Sequence, residues 1–189
     1  RDLRRQRAAV HPPTGRTRGI TGLVYRSVRG VTRLVGGSID AILGHLAPLL
    51  GHVEPSPARE AIVAALNGVL GDYLAATGNP LAISLRFRRQ GKPLALERAA
   101  IEAAFPARTG KLLVLVHGLC LNDLQWSRRG HDHGAALARD LGYTPVYLHY
   151  NTGLHISTNG RQLAAALEAL LEQWPGAPED VAPAAQRMG

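Results

Sequence analysis

The residues best able to do chemistry lie between His117 and His155. His117 and Gly118 follow the apolar run KLLVLV at positions 111–116 and open a loop that runs on to Trp126. A glycine there lets backbone come close to a neighbouring group. His117 reads as the structural histidine of the loop rather than as a base. Cys120 would need a neighbouring base or cation to be a nucleophile, and the sequence offers none, so it reads as a small packed side chain. His131, Asp132 and His133 put two imidazoles close together, but two ligands in a loop fall short of a zinc site. No metal and no cofactor is expected, and Asp132 is read as the cap of the helix that follows. Trp126 packs under the loop. Asn151 and His155 follow a strand at the end where α/β sheets bind ligands. Together with Cys120 and Trp126 they are the candidates for pocket lining.

Periodicity supplies the elements that must hold these residues. Apolar residues from Ile20 to Leu49 recur at three- and four-residue steps, with Arg26, Arg29, Arg33 and Asp40 on the other face, which predicts a helix. Gly30, Gly37, Gly44 and Gly51 fall seven apart on one side of it. A second helix is signalled by Ser56 as N-cap, Pro57 in the first turn and Glu60 behind it. Its stripe is Ile62, Ala65, Leu66, Val69, Leu70 and Tyr73, and Gly78 ends it. From residue 81 the period becomes two, with Ile83, Leu85 and Phe87 inward, predicting a strand over 81–88. A turn at Gln90-Gly91 leads to a return strand over 93–96, then a short helix over 96–105. Residues 111–116 read as a strand covered on both faces. A helix follows within 129–141, with Ala135, Ala136, Leu137 and Leu141 inward, then a strand over 145–148. The last helix, over 158–174, turns Leu163, Ala166, Leu167, Leu170, Leu171 and Trp174 inward. Strand, helix, strand, helix in this order predicts a parallel sheet with crossover helices.

The stretch LVLVHGLCLNDLQW at 113–126, with the helix, strand and helix behind it, resembles the third-strand region of the α/β-hydrolases. The likeness extends through GHDHGAALARDLGYTPVYLHYNTGLHISTNGRQLAAALEALLEQWP and is to bacterial esterases and lipases similar to GPI inositol-deacylases. It covers roughly residues 81–174, and the region 19–80 looks like the helical extension that some such proteins carry. The resemblance implies an α/β fold with a partial α/β-hydrolase sheet behind a helical extension. Residues 1–18 form a basic arm, 19–80 the extension, and 81–189 the N-terminal half of the hydrolase domain. It also implies that His117, Gly118 and Leu119 form the oxyanion-hole loop, and that an ester or lipid is the substrate of the intact enzyme. A nucleophile elbow, G-x-S-x-G, should follow the last helix. Aligned on it, Ala185-Gln186-Arg187-Met188-Gly189 keeps the final Met-Gly but sets Arg187 at the nucleophile position. The superfamily places its acid and its histidine after the serine. The expectation is thus a piece of an ester hydrolase that ends at the elbow, with no catalytic residue of its own and no turnover. Val181-Ala182-Pro183-Ala184 reads as a poor strand, since proline removes a ladder donor.

Composition limits the alternatives. The 189 residues carry a net charge of +8 with 46% apolar residues, too apolar for wholesale disorder. The charge is segregated: residues 1–35 hold nine arginines against one acid, a balance of +8, and the remainder is neutral. One cysteine excludes an intramolecular disulfide framework. The apolar uncharged stretch over residues 41–53 is 13 long, short of the ~20 apolar residues needed to span a bilayer. The basic segment lacks interleaved aromatics, so nucleic acid is not expected. An anionic membrane surface is the partner it would suit, which makes a non-catalytic, membrane-associated hydrolase-fold module the rival reading.

Overall fold

The computed structural model describes Leu43, Gly44, Pro48 and residues 56–128 and 130–185. The basic arm over 1–18, the first helix apart from those three residues, and positions 186–189 including Arg187 lie outside the described residues.

Helix α1, Pro57–Ala76, starts as its sequence dictates. Ser56 is extended, its Oγ accepts from the Arg59 N–H at 3.2 Å, and Glu60 sits in the first turn. Its burial is wider than one stripe. Ala61, Val63, Ala64, Asn67, Gly71 and Leu74 are buried as well as Ala65 and Leu66. One side packs on Leu43 and Leu81, the other on loops at the end of the sheet. The backbone leaves helical geometry at Leu70 (φ −123°, ψ 18°), between Gly68 and Gly71.

The strand expected over 81–88 is shorter, and Asn67 is the reason. Its Nδ2 donates to the carbonyls of Val63 (2.9 Å) and Leu81 (2.7 Å), and its Oδ1 accepts from the Ile83 N–H (2.8 Å). The backbone at 81–83 is therefore satisfied by a helix side chain, and pairing begins at β1, Arg86–Arg89. Gln90 (φ 50°) and Gly91 (φ 75°) are both left-handed, as a two-residue hairpin of type I′ requires. The return strand shrinks to β2, Lys92–Pro93. Helix α2, Arg98–Ala104, leads to β3, Lys111–Val116.

After β3 come a short 3-10 helix, Asp123–Trp126, and a small hairpin of β4, Ser127–Arg128, with β5, His131–Asp132. Helix α3 (His133–Leu141), β6 (Thr144–His149), α4 (Ile156–Gln173) and β7 (Asp180–Ala185) complete the order. The five-stranded sheet runs β2-β1-β6-β3-β7, with β6, β3 and β7 parallel and β1 antiparallel to β6. The fold is thus α/β with a mixed sheet. Phe87, Val114, Val146 and Leu148 face α2 and α4, and the alternating Leu113, Leu115 and Tyr147 face α3.

Three details depart from expectation. Ala135 and Leu141 of α3 point outward, Leu141 being 56% exposed, because Gly134 rather than Ala135 is seated against Tyr147 and Leu115. Leu171 of α4 likewise faces out. Residues 180–185 do form a strand despite Pro183. Pro183 lies opposite Val114, and with no N–H to give, it leaves the ladder to the groups of Ala182 and Ala184. Its nitrogen then falls on the outer edge, where a strand tolerates proline and where proline discourages further pairing.

The packing of α1 on the sheet end predicts opposite outcomes for two glycines. A Cβ on Gly153 would run into the Asn67 carbonyl oxygen, whereas Gly160, inside α4, has nothing within 4 Å. Gly153→Ala should destabilise by ~2 kcal/mol or more, while Gly160→Ala should stabilise by ~1 kcal/mol. Urea denaturation of the two variants beside the parent protein checks both signs.

Candidate functional site

The chain leaves β3 toward α3 on one face and leaves β6 toward α4 on the other. The carboxyl ends of these adjacent strands therefore diverge into a crevice, the place where open α/β sheets bind ligands. The loops 117–122 and 150–155 form its walls, and the fold thus brings His117, Gly118, Leu119, Cys120 and Asn151 together.

The two loops are tied to one another. The Tyr150 hydroxyl donates to the His117 carbonyl at 2.9 Å, and the rings of His117 and Tyr150 lie 4.6 Å apart. Cys120 donates its N–H to Thr152 Oγ1 at 3.1 Å, and Leu121 donates to the Gly118 carbonyl at 3.2 Å. That last bond closes a turn with Cys120 at φ +59°, a position that favours glycine. Within this locked turn, Leu119 is 46% exposed and its N–H meets no acceptor among the described residues.

Helix α1 roofs the crevice. Gly68 lies on Cys120, and Gly71 lies on Asn151, whose Nδ2 donates to the Gly71 carbonyl at 2.9 Å. Cys120 and Asn151 are consequently buried beneath a helix instead of lining an open pocket. Burial pushes the Cys120 thiol up, away from the thiolate. Trp126 packs on the α3 face of the sheet, with its Nε1–H buried and unpartnered. His155 is exposed as the N-cap of α4, its Nδ1 2.8 Å from Ser157 Oγ, with no carboxylate behind the ring among the described residues. His131 and His133 meet edge to face at 4.8 Å, and Asp132 caps α3 through the Ala135 N–H at 2.9 Å. Among the described residues no cluster of three or more metal-binding side chains occurs.

Sequence reading missed the charges beside this crevice. Arg88 of β1 places Nη1 2.9 Å from Glu60 Oε2 and 2.9 Å from Asp123 Oδ1, and His149 Nδ1 lies 3.1 Å from the same Asp123 oxygen. Burial pushes the Asp123 carboxyl up, but the His149 hydrogen bond and the Arg88 charge outweigh it, leaving the pKa below the usual carboxylate value. The alternation that set Phe87 inward did place Arg88 on the opposite face. Nothing in the sequence showed that this face is buried too. A cavity of about 190 Å³ opens on the other side of Asp123, between the hairpin at Gly91 and the start of α3.

Comparison with protein-family models, curated proteins and solved structures returned no match.

His117 is the most perturbed group at the crevice. It is 1% exposed, and burial is the main cause that lowers its pKa from 6.5 to about 4. Its neighbours require the neutral ring: Nδ1 faces the Gly118 carbonyl at 3.2 Å as donor, and Nε2 accepts from the Tyr150 N–H at 3.4 Å. A histidine whose folded pKa is depressed binds its proton more readily when unfolded. Stability from this group is therefore complete above about pH 6.5, falls as pH drops toward 4, and changes no further below. The loss should reach ~3 kcal/mol. Urea titrations at pH 7 and pH 4.5 should show it in the parent, and His117→Gln should show a smaller difference between the two pH values.

Proposed function

We propose that this chain carries the oxyanion-loop half of a serine carboxylic-ester hydrolase of the α/β-hydrolase fold. The observation that carries the reading is the Leu119 N–H, without an acceptor among the described residues and held in a locked turn at the carboxyl end of a buried strand. A parallel β3-β6 pair followed by helices on opposite faces, with His117-Gly118 at the crevice, suits that fold. In the intact reaction a serine oxygen attacks the ester carbonyl, and Leu119 N–H stabilises the oxyanion. The alcohol then leaves, and water releases the acid from the acyl-enzyme.

The candidate attacking groups among the described residues are each unsuited, Ser157 included, since it sits exposed with His155 and no described carboxylate pairs with that ring. Cys120 is buried and held as a thiol, His117 is buried and neutral, and Asp123 with His149 has no hydroxyl on the pair. The 189-residue protein should therefore show no turnover of 4-nitrophenyl butyrate above buffer and no labelling by a fluorophosphonate. Arg187→Ser should gain slow labelling, since an oxyanion site retains a residual ~10³-fold effect without a full triad. Leu119→Pro should abolish that gain. Proline suits the second position of the turn and removes the N–H along with a half-exposed leucine side chain. Labelling of the parent protein, or labelling of Arg187→Ser unchanged by Leu119→Pro, would count against the proposal.

A second reading has its own observation, the confinement of the +8 charge to residues 1–35. We propose an anionic lipid surface as its partner, in line with the polybasic segments that such surfaces attract. Among the described residues no helix is long and apolar enough to cross a membrane. Co-sedimentation with phosphatidylserine vesicles should occur at low salt, decline as salt shortens the Debye length, and vanish in protein lacking residues 1–35. No binding at low salt would remove this reading.

A further inference from the structure

The cavity beside Asp123 lies apart from the Leu119 turn, and nothing in the hydrolase reading uses it. It exists because β1 cannot run further along β6. The last β1–β6 pair is Arg88 with Tyr147, and the β6 positions beyond it are Val146 and then Pro145, which has no N–H to give. The hairpin turns away there at Gln90-Gly91, and the gap is walled by Phe105, Leu124, Pro145 and Tyr147. At about 190 Å³ it is smaller than the roughly 300 Å³ at which drug-sized sites begin, so its occupant is small.

Its polar groups are acidic and underused. Asp123 is 4% exposed, and both donors that reach it, Arg88 Nη1 and His149 Nδ1, go to Oδ1. Oδ2 takes no donor from the described residues and is not among the sealed, unpartnered atoms, and Asp123 lines the cavity. Asp132, on the same cavity, takes neutral donors among the described residues, including the Tyr147 hydroxyl at 2.6 Å, Ser127 Oγ at 2.7 Å and the Ala135 N–H at 2.9 Å. Arg88 stands between two carboxylates, Glu60 and Asp123. The one described cation on the cavity wall, Arg89, is turned over the Phe105 ring with its guanidinium carbon 4.8 Å from the centroid. A carboxylate oxygen without a described donor, beside a second carboxylate without a described cation and among aromatic walls, is chemistry that recognises a small ammonium with an apolar body.

We propose that this cavity binds a small organic ammonium, its charged head on Asp123 Oδ2 and its apolar body between Tyr147, Leu124 and Phe105. The inference stands independently of the ester-hydrolase reading. The test is calorimetric and ligand-observed NMR titration of the 189-residue protein with benzylammonium, benzyl alcohol and benzoate. Benzylammonium should bind saturably and at least about tenfold more tightly than benzyl alcohol, and benzoate should not bind. Ala135→Phe fills the cavity from an exposed helix position without replacing a member of the Arg88 cluster, and it should weaken benzylammonium about tenfold or more with Tm unchanged. Asp123→Asn, if it folds, should erase the preference for the cation. Should it unfold, the ligand series and Ala135→Phe decide. Equal binding of the alcohol, tighter binding of benzoate, no saturation, or unchanged affinity in Ala135→Phe would each overturn the proposal.

Discussion

One guanidinium nitrogen joins the parts of this structure. Arg88 Nη1 reaches Glu60 on α1 and Asp123 on the loop after β3, each at 2.9 Å, and Asp123 in turn reaches His149 at the end of β6. Burying these groups costs desolvation, and such pairs rarely add net stability over apolar residues of similar volume. Removing one partner is another matter, since it strands a buried charge at a cost of ~3–5 kcal/mol. The cluster therefore fixes position more than it adds stability. With Glu60 held at the sheet, α1 must lie across the crevice, and only glycines at 68 and 71 allow its backbone so close to Cys120 and Asn151.

Much of the frame was legible because local rules and tertiary demands agree. Residues 111–116 and the strand about Val146 form as their apolar runs indicate, and Ser56 and Asp132 cap the helices that they precede. What was illegible depends on distant partners. Asn67 replaces strand pairing at Leu81 and Ile83, which lie 14 and 16 positions away. Arg88 finds Glu60, Asp123 and His149 at separations of 28, 35 and 61 residues. A period-two pattern says that Arg88 opposes Phe87 across the sheet, but not that a helix and a loop cover both faces. Pro183 misled for a related reason. A proline forbids a ladder bond on one side only, and the ladder of β7 with β3 uses the other.

The candidate site shows the same division. The loop from His117 to Leu119 stood out by residue type, and the fold sets it at the diverging ends of β3 and β6. The other suggested lining residues scatter: Cys120 and Asn151 go beneath α1, Trp126 onto the α3 face, and His155 onto an exposed helix cap. The open cavity lies instead beyond Asp123, at the edge that Pro145 interrupts. The crevice and the cavity share the stretch from Asn122 to Leu124, so the Asp123 carboxylate stands between a locked turn and an open chamber.

The central claim is that the turn after β3 keeps one backbone donor open while its neighbours are engaged. Residue-resolved amide hydrogen exchange measures this directly. The Leu119 amide should exchange near its unprotected rate, while those of Cys120 and Leu121, bonded to Thr152 Oγ1 and to the Gly118 carbonyl, should be protected by orders of magnitude. A Leu119 amide as protected as its two neighbours would contradict the account.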